Sequence, residues 1–377
     1  MNAAVTARTT SEPPELEERT PRPRASGLPG RVDLLGRLEG ISAGRGLARL
    51  ARRLAELMDF VGADMATFED EFARLPRRPE LLVGRGASHL LELGGKRLRP
   101  MCVALASRLG EGFDARVLDV AVAVELVHNA TLLHDDVVDH SDTRRGTATA
   151  RAVYGNAASI FAGDWLLVEA LRRIERCRLP GLMDELLDTV EEMIFAESVQ
   201  LENRGRIATA RETYFRVAEG KTAALFRWAM AAGGRVGGLD VAGRAAIAAY
   251  GAHLGVAFQA VDDLLDLTGD AARTGKAVFN DLREGKMTYP VILALERDDA
   301  FQPLVEEILA TPHDAPLADV TAGRVIRSLR QTRAVEDCLE LARRYSAGAV
   351  ACLAPFPQCR ATRALATVAE ALVDRDL

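Results

Sequence analysis

An Asp-Asp-x-x-Asp pentad occurs twice in this 377-residue chain, each time inside an apolar run of helical periodicity. The first is Asp135-Asp136-Val-Val-Asp139, at the end of a mostly apolar stretch from Val120 through Val138. The second is Asp262-Asp263-Leu-Leu-Asp266, preceded by Phe258-Gln259. Residues four apart share a helix face, so the carboxylates of Asp135 and Asp139 lie side by side. In the second copy Gln259, Asp262 or Asp263, and Asp266 fall on one stripe. Like charges so placed repel and weaken a bare helix, and the flanking Leu and Val argue against a solvated acidic face. The fold must therefore be one that holds a cation between helix-borne carboxylates. Oxygen-only ligands without a His/Cys cluster favour Mg²⁺, completed by water and substrate phosphates.

The frame is helical throughout. Leu47, Leu50, Leu54, Leu57, Phe60 and Val61 recur at three- and four-residue spacing, and like patterns run through 100–140, 156–176, 181–202, 211–233, 241–268, 287–296 and 335–349. Gly and Pro punctuate them, and alternating strand patterns bounded by hairpin turns are absent. The expectation is one all-α domain over residues 46–377. Residues 1–45, rich in Pro, Gly, Arg and Glu, lack the apolar content to offset their ordering entropy and read as a disordered N-terminal tail. The 48 Lys+Arg against 54 Asp+Glu, a net charge of −6, exclude a general nucleic-acid binder. Five cysteines, an odd count with no CxxC, indicate neither zinc nor a disulfide framework and suit a reducing cytoplasm. No uncharged apolar run approaches a membrane span, and the N-terminus has no signal core or transit-peptide character.

Basic segments complete the inventory. Gly94-Gly95-Lys96-Arg97-Leu98-Arg99-Pro100 offers a tight turn and three cations before a helix start. Arg144-Arg145-Gly146 follows the first acidic helix, placed either to clamp phosphates or to pair with Asp139 and Asp142. Lys221-Thr222 lies in a helical stretch. Gly275-Lys276 and Asn280-Asp281-Leu-Arg-Glu-Gly285-Lys286 form a polar loop after the second acidic helix, whose lysines in isolation read as surface residues. His128 shares the stripe of Asp135, two turns earlier, whereas His134 reads as structural. No Ser/His/Asp or Cys/His nucleophile pattern stands out. This is equipment for two diphosphates, one held through metals and one through cations, with apolar walls for hydrocarbon.

With these motifs in this order, the chain resembles the trans-isoprenyl diphosphate synthases of the polyprenyl synthetase family, from about Leu81 onward. Glu125 through Asp139 looks most like the long-chain, octaprenyl-type members. The resemblance implies a single-domain helical bundle of the isoprenoid synthase type with a central cavity, a homodimer, and a cytoplasmic enzyme without a membrane span. Peripheral membrane contact is expected at product release. It implies that Asp135 and Asp139 hold two Mg²⁺ on an allylic diphosphate and Asp262 a third. Arg144, Lys221 and Lys276 would bind that diphosphate, and Lys96, Arg99, His128 and Arg145 would bind isopentenyl diphosphate. Thr222 and Gln259 would lie near the allylic cation. The loop Gly275-Lys-Ala-Val-Phe-Asn-Asp281 departs from the usual Gly-Lys-Pro-x-Gly-x-Asp, with Phe279 where a small residue is usual. Three other readings remain. A terpene cyclase would not need the full basic set. A non-catalytic partner subunit would lack site residues, and none is missing. A short-chain farnesyl or geranylgeranyl synthase would differ only in tunnel depth.

Overall fold

Two long helices carry the acidic pentads and organise everything else. The computed structural model describes residues 48–75, 78–268, 279–311 and 319–374; the N-terminal segment 1–45 and Lys276 lie outside them. The helices are α1 (Ala48–Ala73), α2 (Leu82–Glu92), α3 (Leu98–Ser107), α4 (Ala115–Val138), α5 (Ala150–Tyr154), α6 (Asn156–Cys177), α7 (Leu182–Glu202) and α8 (Arg211–Val217). A π-helical segment, Ala218–Ala223, leads into α9 (Ala224–Val236). They continue as α10 (Val241–Thr268), α11 (Asn280–Arg283), α12 (Tyr289–Arg297), α13 (Gln302–Ala310), α14 (Asp319–Gln331), α15 (Ala334–Ala351) and α16 (Arg360–Val373).

Helix α4 begins where Asp114 accepts hydrogen bonds from the Arg116 and Val117 amides, both 2.9 Å, a cap worth about 1 kcal/mol. It packs on α3 and α6, while α10 packs on α9 and α15. The core has two parts that meet along α10. Ile247, Tyr250, Leu254 and Ala257 join the cluster around α3, α4, α6 and α9. One turn on, Ala260, Val261, Leu264 and Leu267 join the cluster of α12 to α15. Successive turns of one helix are thus buried in both, which fixes where its pentad emerges.

Two expectations are revised. The reading that no uncharged apolar run approaches a membrane span is not among them: α4 and α10 are long and apolar enough by length and composition, but α4 carries Asp119 and Glu125, and α10 carries Arg244, Asp262 and Asp263. Their apolar character serves the core: 67% of the most apolar window of α4 is buried. Helices α2, α5, α11, α13, α14 and α16 lie outside the stretches expected to be helical. A short ladder also exists, Thr143–Arg144 pairing antiparallel with Thr147–Ala148. Its two turn residues, Arg145 and Gly146, have φ of 54° and 75°, the left-handed pair of a type I′ hairpin.

Candidate active site

The two pentads sit among cations drawn from distant parts of the chain. At the end of α4, Asp139 accepts from Arg204 Nη2 at 2.6 Å and from Lys286 Nζ at 2.8 Å. Burial works to raise the Asp139 pKa, but Lys286, then Lys221 and Arg204, outweigh it and hold the carboxyl below its ordinary value. Lys286 also bonds Glu284 Oε2 at 2.6 Å. Burial alone would lower its pKa, yet Glu284, Asp139 and Asp281 drive it upward and keep the ammonium charged.

Asp135 faces Lys221, whose Nζ lies 3.5 Å from its Oδ2 and also pairs with Glu197 on α7. Lys221 and Thr222 lie in the π-helical segment, where one extra residue per turn changes which side chains face inward. Thr222 donates to Gln259 Oε1 at 2.6 Å, and Gln259 Nε2 donates to Asp263 Oδ1 at 2.7 Å. Asp263 receives the Tyr214 hydroxyl on its other oxygen, also at 2.7 Å. Burial, reinforced by Asp281, pushes the Asp263 carboxyl up to about 7. The stripe expected on α10 therefore divides. Asp263 turns into the protein and fixes Gln259, while Asp266 accepts the Asn280 and Asp281 amides at 3.1 and 3.2 Å. Phe279 stands just before α11, buried, at φ 65°, with its amide on the Asp266 carbonyl at 2.9 Å. A cavity of about 160 Å³ lies among Lys221, Thr222, Gln259, Asp281, Lys286 and Asn203.

The first pentad divides likewise. Asp136 is buried and accepts Arg144 Nε and Nη2 at 2.9 and 2.8 Å. Burial raises its pKa against the pull of Arg144. Pairing with Asp139 and Asp142 was the alternative to a phosphate clamp for the two arginines; Arg144 pairs instead with Asp136, and Asp142 pairs with Arg151 at 2.8 Å. The hairpin turn sends Arg145 the other way, onto the Gly94 carbonyl.

The three cations of the Gly94–Pro100 segment have different tasks. Arg97 fastens the segment, bonding Glu69 at 3.0 Å and Glu125 at 2.7 Å with its guanidinium 4.6 Å from the Phe72 ring centre. Lys96 and Arg99 point elsewhere, over Phe258 and Phe226. Half-buried His128 lies in the field of Arg99, Arg145, Arg144 and Arg97. Desolvation first, then those four charges, depress its pKa well below the usual value and keep the imidazole neutral. His134 is structural as read: its Nε2 lies 3.2 Å from both the Ile160 carbonyl and Asp164 on α6.

These residues suit a hard divalent cation. The donors are oxygens, Asp139 is held ionised, and the buried Asp136 Oδ2 has no hydrogen-bond partner. Among the described residues no three acidic, His or Cys side chains converge into one cage.

Comparison with known proteins decides the family. The profile described as polyprenyl synthetase matches residues 82–322, which include both pentads and every basic motif above. The chain belongs to the polyprenyl synthetase family. Heptaprenyl diphosphate synthase component 2 of Geobacillus stearothermophilus is 33% identical, over 86% of this chain and 99% of that protein. Octaprenyl diphosphate synthase of Escherichia coli is 32% identical over the same shares. The structure of a polyprenyl synthase from Caulobacter crescentus, in complex with calcium and isoprenyl diphosphate, superposes with a TM-score of 0.79 at 33% identity. That match covers 85% of this chain and 97% of the other. A geranylgeranyl pyrophosphate synthetase from Pyrococcus horikoshii superposes almost as well, TM-score 0.78 at 28% identity, over 85% of this chain and 99% of that one. As a polyprenyl synthetase the chain is a prenyltransferase with the all-α isoprenoid synthase fold.

Lys286, Arg204 and Glu197 are members of this polyprenyl synthetase site that sequence reasoning left out. Lys286 was visible as a cation in the polar loop; nothing local marked it as the partner of Asp139.

Proposed function

We propose that this polyprenyl synthetase joins isopentenyl diphosphate head-to-tail to an allylic diphosphate, with Mg²⁺, to give a long-chain trans-polyprenyl diphosphate. The observation that carries this is the gathering of two adjoining cation sets at the first pentad and at His128. Lys221 and Arg144 pair with Asp135 and Asp136, while Lys96, Arg99, His128 and Arg145 form a second set at the Gly94–Pro100 segment, and the charge of Arg144 reaches His128 as well. The first set, with Lys276, holds the allylic diphosphate through its oxygens. The second holds isopentenyl diphosphate, with neutral His128 able to donate one hydrogen bond without adding charge. Asp135, Asp139 and Asp262 would hold Mg²⁺, about three ions by resemblance, which would supply charge stabilisation as pyrophosphate departs. The allylic C–O bond breaks and the electron pair leaves with pyrophosphate. Thr222 donates to Gln259, which in turn donates to Asp263, and this linked pair would lie near the cationic carbon, as the resemblance implies. The C=C of isopentenyl diphosphate forms the new C–C bond, and its C2 proton passes to pyrophosphate. No protein nucleophile is required.

Chain length rests on the residues one turn before Asp135. Ala130 and Thr131 are small, so the gate that, as the resemblance implies, aromatic residues close in short-chain members should be open here. Product chromatography with labelled isopentenyl diphosphate and excess allylic primer is expected to show chains longer than geranylgeranyl, centred on octaprenyl. Ala130→Phe is expected to shorten them while primer ionisation continues. Ala130 is buried, so the larger ring costs about 1–3 kcal/mol of stability. Wild-type product ending at farnesyl or geranylgeranyl diphosphate would sink the long-chain reading.

The same reading makes the protein a cytoplasmic homodimer. All five cysteines are free thiols, which suits a reducing compartment. Phe161 on α6 and Ile194 and Phe195 on α7 are each about 60% exposed, an apolar face that a second copy would cover. Sedimentation equilibrium is expected to give twice the 40.7 kDa chain mass; a monomer at micromolar concentration overturns this part.

A further inference from the structure

Against the Gly94–Pro100 segment lies an aromatic pair with no task in the reaction as described. Phe226 on α9 is fully buried, and its ring stands 5.5 Å from that of Phe258 on α10. Each ring carries a cation of the Gly94–Pro100 segment. The Arg99 guanidinium sits 4.5 Å from the Phe226 centre, and Lys96 Nζ sits 5.6 Å from the Phe258 centre. Both separations lie within the range at which a ring face attracts a cation. Arg99, Phe226, Phe258 and Lys96 are therefore linked in one run of contacts, the two rings tilted at 45° to each other.

The backbone is shaped for it. A Cβ at Gly251 would meet the Phe226 carbonyl at 2.5 Å, and one at Gly255 would meet the Ala223 Cα at 2.4 Å. These two glycines, one turn apart on α10, let α9 approach until the rings touch. Arg99 Nε is shut off from solvent with no hydrogen-bond partner, so at this atom the ring face replaces the acceptor a buried guanidinium ordinarily finds. Arg97, by contrast, is fastened by Glu69 and Glu125. A carboxylate bonded to Arg99 would compete with a diphosphate for the guanidinium; the Phe226 face attracts Arg99 while leaving its other donors for an anion.

We propose that the Phe226–Phe258 pair is a positioning element that holds Arg99 and Lys96 in place for isopentenyl diphosphate, so that the rings set affinity for that substrate and not for the allylic primer. The inference rests on the assignment of Arg99 to isopentenyl diphosphate, and the test separates the two. Replacing Phe226 by mono-, di- and trifluorinated phenylalanine keeps the ring's shape while draining negative charge from its face. The KM for isopentenyl diphosphate is expected to rise stepwise along the series, reaching about 5- to 30-fold, the span a cation–π contact of this kind supports. The KM for the allylic primer and the melting temperature should stay within about two-fold and two degrees respectively, the margin left for a near-isosteric change. Packing alone would not track fluorination. A flat KM across the series, or a fall showing that the rings withhold the cations, overturns the proposal. Arg99→Gln is the control. If it too leaves the KM for isopentenyl diphosphate unchanged, the site assignment fails; if it raises that KM while the fluorinated series stays flat, only the positioning role fails.

Discussion

Asp135→Ala is expected to lower turnover by at least about 10²- to 10³-fold, the loss typical when one group that stabilises developing charge is removed. Asp262→Ala should do the same from the opposite helix. Asp135 has Lys221 Nζ within 3.5 Å, so its removal also takes away an anchor of the lysine proposed for the allylic diphosphate. Asp136→Ala makes an instructive contrast. Asp136 is buried and bonded to Arg144, so its loss should act through stability and arginine placement. EDTA should abolish product formation in the wild type without unfolding it, because the core clusters are built from apolar side chains. Single-turnover assays on the two alanine variants, with circular dichroism to verify folding, check this. Activity that persists undiminished in EDTA would falsify the metal reading.

What local pattern could reveal here is bounded by how far a physical signal reaches along the chain. Helical periodicity reports a face within a few turns, so α4, α6, α7 and α10 were legible, as was the side-by-side placement of Asp135 and Asp139. It does not report which cation arrives from elsewhere. Asp139 meets Arg204 and Lys286, 65 and 147 residues away, and neither separation leaves a local trace. Arg97 and Arg99 are two residues apart and indistinguishable in composition. Only the packed structure shows Arg97 spent on Glu69 and Glu125 while Arg99 rests on a ring. The π-helical segment was hidden for another reason: inserting one residue into a turn shifts the register without breaking the helical pattern. The 143–148 hairpin is too short for alternation, although Arg145-Gly146 carries its turn. The family resemblance supplied residue roles that spacing alone left open, and the matching profile over 82–322 settles the family, not those roles.

The lysine that sequence left among surface residues yields the second large effect. Lys286 is bonded to both Asp139 and Glu284, whose side chains are 9% and 7% exposed. Lys286→Ala would leave two carboxylates together with the loss of their shared cation, a change that costs about 3 kcal/mol for a buried pair. Differential scanning calorimetry without divalent metal is expected to show a melting point lower by about 5 °C. The pH dependence follows from the directions of the shifts. Asp139 is held below its ordinary value of 3.8, so its contribution is intact above that value and is lost as pH falls through the folded pKa. Lys286 is raised above 10.5, so its contribution is intact below that value and is lost only as pH rises beyond it. At neutral pH the full penalty of the substitution should therefore appear. Magnesium supplies the discriminating arm. If Asp139 is a metal ligand, a divalent cation replaces part of the missing positive charge, and Mg²⁺ should raise the melting point of Lys286→Ala more than that of the wild type. Equal Mg²⁺ stabilisation of both proteins would mean that Lys286 and the metal do not share Asp139, and the carboxylate would then be a structural counter-ion of Arg204 and Lys286.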